Sequence, residues 1–386
     1  MAEQQIYLDN AATTRPHPQV VEAVLRTLTV DYGNPSSLHG MGVAAERVVR
    51  AAREAVARSV GVDPQEIVFT SGGTEANALA LVGAARARRG RHLITTAVEH
   101  SSVLETLRRL APQGWELEVL PVDRAGRVRA EQVARALRPD TAMVSVMAVN
   151  NELGTIQPIP EIAAAVLRHR AAGGRALLHV DAVQAWGTVS LRPAAWGVDL
   201  MTLSGHKVHG PKGVGALYVR RGVSLEPLLA GGDQERGLRP GTENVPGIAG
   251  MGAAAALLIA DREEGAARMR ALQTRLRARL QRLPDVRINT PDDGAAPHIL
   301  SVTVPGVRGE TLVHRLEQDG VYISTGSACH SRDPRPSHVL LAIGLPPEEA
   351  RCTVRISLSR FTTVDEVDAA AEAFARAVED LRALVS

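Results

Sequence analysis

Val198-Asp199-Leu200-Met201-Thr202-Leu203-Ser204-Gly205-His206-Lys207 is an apolar, strand-like run that empties into a short Gly/His-rich segment ending in a lysine. The chain carries 44 lysine and arginine side chains in 386 residues, and only Lys207 and Lys212 among them are lysines. Arginine has replaced lysine nearly everywhere, so a lysine kept at the end of a strand asks for chemistry that arginine cannot perform. Arginine stays charged and forms no imine, whereas a desolvated lysine amine sheds its proton and can condense with an aldehyde. Lys212, in Gly210-Pro211-Lys212-Gly213, is the competing candidate. A nucleotide-binding loop is discounted there, because Gly210 is followed by Pro211 and not by Lys-Ser or Lys-Thr. By itself a loop lysine is usually a surface residue, so the surroundings must decide.

Outward from this stretch, between about residues 15 and 255, β-rich runs at 66–70, 92–97, 116–120, 142–148, 176–180, 198–203 and 215–219 alternate with helix-period segments at 74–88, 102–110, 130–137 and 159–169. That alternation predicts an α/β fold on a parallel sheet. Most of the polar oddities fall just after strands, where open α/β sheets place ligands. Residues 245–281 read as one long amphipathic helix. The remainder offers strands near 286–289, 298–304 and 353–358 and helices near 310–318 and 364–384, a smaller α+β pattern that the N-terminal strand 6–8 would join. The expected organisation is a large domain over 15–255 and a small domain from 1–14 and 256–386. The aperiodic segment 324–337, rich in Ser, Gly, Pro and charge, is expected to be a mobile loop on the small domain.

Composition narrows the function classes. With 45% hydrophobic and 22% charged residues the chain is an ordinary globular protein, and at 3% aromatics its core must be filled by Ala, Val and Leu. A net charge of +2, with the arginines spread among 42 acidic residues, gives no basic patch for nucleic acid. The start lacks a basic segment followed by an apolar one, so no signal peptide is expected. The most apolar stretch, 247–260, is too short to span a bilayer and reads as a buried helix. Two cysteines, Cys329 and Cys352, make no disulfide framework and point to the reducing cytoplasm.

Several short motifs could carry chemistry, each with a plainer alternative. Ser71-Gly72-Gly73-Thr74-Glu75-Ala76-Asn77 follows a strand and opens a helix. Its amides, the helix N-terminus and the Thr74 hydroxyl would suit a phosphate, although local sequence favours an ordinary turn with Thr74 as cap. Asp181 closes a strand, with Gln184 three residues on. It could keep a heterocyclic nitrogen protonated, or cap the next segment. His100 could act as acid or base, or be structural. Asn150 and Asn151 could donate to a ligand or make a turn. Cys329, flanked by Ser327 and His330 in the aperiodic loop, suits a nucleophile, whereas Cys352 reads as a small buried hydrophobe. Arg355, in a half-buried strand, wants a bidentate anion: a substrate carboxylate or a structural partner, with nothing local to choose between them.

In order and spacing these signals resemble the cysteine desulfurases of the NifS/IscS type, which are pyridoxal-phosphate-dependent enzymes of fold type I within the class V aminotransferase family. The likeness runs from Tyr7-Leu8-Asp9-Asn10-Ala11-Ala12-Thr13-Thr14 through Gly33-Asn34-Pro35-Ser36-Ser37, Glu99-His100, Asn150-Asn151-Glu152, Asp181-Ala182-Val183-Gln184 and Gly241-Thr242-Glu243-Asn244 to Gly326-Ser327-Ala328-Cys329 and Ser337-His338-Val339-Leu340. The resemblance implies a Schiff base between Lys207 and pyridoxal 5'-phosphate. It implies Asp181 at the pyridinium nitrogen, His100 stacked on the ring, and Gln184 and Asn151 near the ring oxygen or substrate. Gly73, Thr74, Ser204 and His206 would hold the phosphate, with Thr242 reaching in from the second subunit of a homodimer. Arg355, helped by Asn34, would grip the carboxylate of L-cysteine. The Cys329 thiolate would take the sulfur as a persulfide and leave alanine, with His100 or His330 lowering or accepting the thiol proton.

The sulfur would pass to a protein acceptor such as an iron–sulfur scaffold or a thiolation protein, and a cluster in transit would make Cys329 a transient metal ligand. Two positions depart from the family pattern: His330, where a small hydroxyl residue is more usual, and Pro240, where serine usually precedes Gly241. The alternatives are a selenocysteine lyase or another class V aminotransferase on the same fold, and a catalytically idle dimer serving as a sulfur-assembly scaffold. The loop cysteine argues against the aminotransferase. Intact Lys207, Asp181, His100 and Cys329 argue against the scaffold.

Overall fold

The computed structural model describes residues 5–326 and 335–384. Its centre is a seven-stranded sheet in the order Ile67–Thr70, Gly215–Val219, Leu200–Ser204, Leu177–Asp181, Thr141–Met147, His92–Thr96 and Glu116–Leu120. Only Gly215–Val219 runs against its neighbours; every other pairing in the sheet is parallel. The expected α/β fold with a mainly parallel sheet is what forms. Neighbouring residues on these strands enter different cores: Leu178, Val180 and Tyr218 lie in one apolar cluster, Leu177 and Leu217 in another. A sheet buried on both faces needs continuous apolar strands, and that is why these runs were legible.

Parallel strands share a direction, so Met147, Asp181 and Ser204 end at one edge, where the following loops converge. After Ile67–Thr70 the chain enters its next helix at Gly73. A Cβ there would lie 2.9 Å from Val183 Cγ2, so any larger residue would have to displace the Val183 side chain.

A separate three-stranded antiparallel sheet, Thr353–Ser357, Ile299–Thr303 and Arg287–Ile288, packs in its own apolar cluster with Phe374 of the helix Val364–Ala383. Ile6 and Leu8 belong to that cluster, and Ile6–Tyr7 pairs in parallel with Val321–Tyr322. The N-terminal strand therefore joins the C-terminal elements. The helix Val245–Leu280 runs through residue 255 unbroken and serves both units: Ile248, Met251 and Leu258 pack in the large core, Leu272, Leu276 and Leu280 in the small one. Its one non-helical residue, Asp261, lies between the two sets. By length and composition this helix could cross a membrane, but its apolar residues are those that fill the cores. Cys352, read as a buried hydrophobe, is half-exposed.

Candidate active site

The edge of the large sheet opens onto a cavity of about 290 Å³. Nine positions singled out from sequence line it: Gly73, Thr74, His100, Asn151, Asp181, Gln184, Ser204, His206 and Lys207, joined by Arg355 from the small unit. Asn34 and Thr242 do not. Asn34 is exposed and spends its side-chain oxygen on the Ser36 N–H at 2.9 Å. Thr242 is also exposed, and with Gly241 and Asn244 it lines a different depression, beside Ser71. Ser327, Cys329 and His330 lie outside the described residues. Among the described residues no cluster of His, Cys, Asp or Glu could hold a metal ion.

Lys207 Nζ donates to the carbonyls of Ala11 and Ala12 at 2.6 and 2.7 Å, so the N-terminal segment lies against the lysine. Asp181 is 5% exposed, and both of its oxygens accept: Oδ1 from the Val183 N–H at 3.0 Å and Oδ2 from Asn77 Nδ2 at 2.8 Å. Asn77 also donates to Ser102 Oγ at 2.9 Å. A hydroxyl that accepts there has its own proton to give, and His100 Nδ1 lies 2.8 Å away. His100 Nδ1 accepts the Ser102 N–H as well, at 3.1 Å, capping the helix Ser101–Arg108. A ring proton on His100 therefore belongs on Nε2. The structural reading of His100 holds, since it caps a helix, and its ring also lines the cavity.

The two asparagines divide their expected roles. Asn150 is fully buried and makes the turn, accepting from the N–H groups of Glu152 and Leu153 and donating to the Val98 carbonyl, whereas Asn151 lines the cavity. Thr74 does not cap its helix, which corrects the reading favoured by local sequence. The helix begins at Gly73 with Gly72 as its cap, and no side chain caps it. Ser204 Oγ, on the same wall, is buried without a hydrogen-bond partner.

Gln184 is held on both sides. Its Nε2 donates to Ala11 O at 2.9 Å, and its Oε1 faces His298 Nε2 at 3.2 Å. A carbonyl oxygen only accepts, so His298 carries its proton on Nε2, and its buried Nδ1 is left without a partner. Burial, with Arg355, Arg270 and Lys207 adding to it, pushes the His298 pKa down to about 3. His206 is pushed down to about 4 by burial and by Lys207 and Lys212, so both rings are neutral at physiological pH.

Glu99, quoted in the sequence only as the neighbour of His100 and given no role, is fully buried. Its Oε1 accepts from Thr96 Oγ1 at 2.7 Å and from the Met147 N–H at 3.0 Å. Burial, with a contribution from Asp181, outweighs those bonds and raises its pKa to about 8. Arg355 is 2% exposed. Its Nη1 donates to Asn151 O at 2.9 Å and Gly326 O at 3.1 Å, its Nη2 to Asp9 Oδ1 at 2.9 Å, and its Nε is buried with no partner. The ion-pair reading of Arg355 is seen, with Asp9 as the partner, and the residue also lines the cavity. Glu152 Oε2 accepts from Ser337 Oγ at 2.6 Å and lies where a Cβ on Gly326 would come within 2.8 Å, so it touches both ends of the segment that carries Cys329.

The pattern of the class-V aminotransferase family matches residues 6–370. Cysteine desulfurase IscS of Methanosarcina thermophila is 43% identical over 379 residues, covering 98% of this chain and 93% of its own. A solved NifS-like protein superposes with a TM-score of 0.91 at 40% identity, covering 98% of this chain and all of that one. A solved structure of SspA in complex with cysteine gives a TM-score of 0.81 at 36% identity, covering 93% of this chain and all of that one. With the lysine, aspartate and histidine gathered at one sheet edge and near-complete coverage in each comparison, the chain belongs to the class-V aminotransferase family, in its NifS/IscS cysteine desulfurase branch.

Proposed function

We propose that this protein is a cysteine desulfurase that converts L-cysteine to L-alanine and delivers the sulfur, as a persulfide on Cys329, to protein acceptors in iron–sulfur cluster assembly or other thio-cofactor and tRNA-thiolation pathways. The observation that carries it is the placing of Lys207 Nζ, Asp181 and Arg355 on one cavity of about 290 Å³. Enzymes of this family depend on pyridoxal phosphate. The residues present fit that group: Ser204 Oγ is a buried hydroxyl without a partner beside the amides that start the helix at Gly73, and Asp181 is a buried carboxylate at the same cavity. Lys207 would hold the group through its amine. Asp181 would face its ring nitrogen, His100 its ring, and Gly73, Thr74, Ser204 and His206 its phosphate.

When bound, pyridoxal phosphate supplies an aldehyde for amine exchange and a protonated ring that accepts the electrons released at the substrate Cα. The chain's own residues do the rest. Arg355 holds the substrate carboxylate, with Gln184 and Asn151 lending donors nearby. Lys207 Nζ, once exchanged for the substrate amine, stands ready to carry the Cα proton, and His100 Nε2 is a second place to hold one. The Cys329 thiolate attacks the substrate sulfur; an S–S bond forms, the C–S bond breaks, and the carbon left behind becomes the methyl group of alanine after taking a proton. The reducing cytoplasm would keep Cys329 free for this step.

We read 15–255 as the cofactor-binding unit and 1–14 with 256–386 as the small one. We also read the protein as a homodimer in which Thr242 serves the partner's phosphate site and Asn34 is presented across the contact. Val21, Leu25 and Leu28 on the helix Pro18–Thr29 are each more than half exposed, as is Tyr32 just beyond it, which supports a covered apolar face there. Leu25→Glu should shift the purified protein from dimer to monomer in sedimentation.

The deciding experiment is mass spectrometry of borohydride-reduced protein: cofactor mass fixed on Lys207 supports this reading, and a colourless protein without it sinks the reading. Cys329→Ser should keep the visible band and lose persulfide formation from cysteine. Retention of sulfur release in that variant would move the thiol's role elsewhere.

A further inference from the structure

An arginine side chain has five N–H donors. In Arg355 three are spent: two from Nη1 on the carbonyls of Asn151 and Gly326, and one from Nη2 on Asp9. What remains is the Nε–H, buried and unpartnered, and the second Nη2–H. Nε and Nη2 form one edge of the guanidinium plane, the edge that takes a carboxylate through two parallel bonds. Half of that edge therefore waits for a ligand, and the other half is shared with Asp9.

Asp9 does not line the cavity that Arg355 and Lys207 line. Its side chain is 20% exposed, against 3% for that of Arg355. Burial raises the Asp9 pKa, and although Arg355 and Lys207 both pull it down, burial prevails. Asp9 is thus an anion within the field of both cations of the site, incompletely compensated by either. Its backbone is fixed independently of that charge, since its carbonyl accepts from the Ala12 N–H and from the Tyr7 hydroxyl.

We propose that Asp9 is a placeholder anion, which holds Arg355 in position while no substrate is bound and competes with the incoming carboxylate for the Nη2 end of the guanidinium. Asp9 is then a positioning residue that sets how tightly substrate carboxylates are held. This rests on the reading of Arg355 as the carboxylate grip. Two substitutions separate competition from simple support. Asp9→Asn keeps an oxygen that can accept from Nη2 but removes the negative charge. Asp9→Ala removes the anchor as well, so the guanidinium loses its orientation.

The experiment measures KM for L-cysteine and the competitive inhibition constant of propionate, a carboxylate with neither amine nor thiol, on cofactor-loaded protein, with calorimetric titration of propionate as a direct binding readout. Asp9→Asn should lower KM and both propionate constants by roughly fivefold, the effect of removing one ion-pair interaction. Asp9→Ala should raise all three. Asn and Ala variants that both weaken binding, or an Asn variant indistinguishable from the parent, would overturn the proposal and leave Asp9 a structural partner. Arg355→Lys run alongside identifies the other failure: if it leaves KM and propionate binding unchanged, the carboxylate is gripped elsewhere, and the reading of Arg355 falls together with this one. Should Asp9→Ala fail to fold, the sign of the Asn effect still decides.

Discussion

On the floor of the cavity Asp181 gives both oxygens to donors of the protein, and Asn77, Ser102 and His100 extend that bonding until each ring nitrogen has a defined role. On the wall that carries Arg355, a buried guanidinium keeps its Nε bare. A buried polar atom without a partner costs about 1–3 kcal/mol, so such atoms persist where a ligand completes them. The difference separates a carboxylate whose bonds the fold completes from a cation that it leaves partly open. On the proposed reading, the floor would set the electrostatics around the cofactor before substrate arrives, and the wall would take a ligand that comes and goes.

Removing the reactive group on the floor should have the largest effect. Lys207→Ala is expected to abolish the visible cofactor band and to lower desulfuration by at least about a thousandfold, as for loss of a covalent catalytic group. Breaking the wall should appear in a different parameter: Arg355→Lys, which keeps the charge and loses the fork, should raise KM for cysteine by roughly ten- to a hundredfold with a smaller change in kcat. If kcat falls as much as kcat/KM, Arg355 belongs with the floor. Asn77→Ala leaves Asp181 Oδ2 and Ser102 Oγ each short of a donor; a loss of about 1–3 kcal/mol, read as a roughly ten- to hundredfold fall in kcat, is expected. A variant with full activity would show that the floor does not need its outer bonds.

The smallest effect concerns stability against pH. His179 and His206 have pKa values pushed down to about 4, and His298 to about 3, from an ordinary 6.5. An unfolded chain takes up those protons first, so this stabilisation is complete above pH 6.5 and is lost as pH falls toward 4. Glu99 works the other way. Its carboxyl is raised from 4.5 to about 8, so its contribution is whole below pH 4.5 and declines as pH rises through 8. Thermal melts should therefore peak near pH 6.5 and fall toward 8, and Glu99→Gln should flatten the alkaline side and steepen the rise between pH 4.5 and 6.5, where Glu99 opposes the histidines. An unchanged alkaline slope in that variant would show that Glu99 is already ionised.

The sheet and the floor were legible for local reasons. Strands buried on both faces are apolar without interruption, and Lys207 stands out because arginine occupies nearly every other basic position. Asp181 and His100 could be placed because each follows a strand at the edge where ligands bind. The Thr74 cap was misread by two positions, since nothing local distinguishes a helix that starts at Gly73 from one that starts later. The partners on the wall had no local signal at all. Asp9 meets Arg355 across 346 residues, and Gln184 meets His298 across 114. Such pairs become visible only when the N-terminal segment and the small unit pack against the edge of the large sheet. Asn34 and Thr242 were singled out by resemblance, and in a single chain they remain away from the cavity.

The bond from Arg355 to the Gly326 carbonyl has a consequence for where the sulfur can travel. Cys329 is three residues past Gly326 in the sequence. A fully drawn-out polypeptide advances about 3.3–3.6 Å per residue, which puts the Cys329 Cα no farther than roughly 11 Å from the Gly326 Cα, with only the side chain's own length to add for the thiol. A tether so short cannot ferry cargo to a distant customer. On the reading of Cys329 as the sulfur carrier, an acceptor would have to come to the cavity or pull Gly326 away from Arg355, and in the second case collecting the sulfur would also loosen Arg355 for the next substrate.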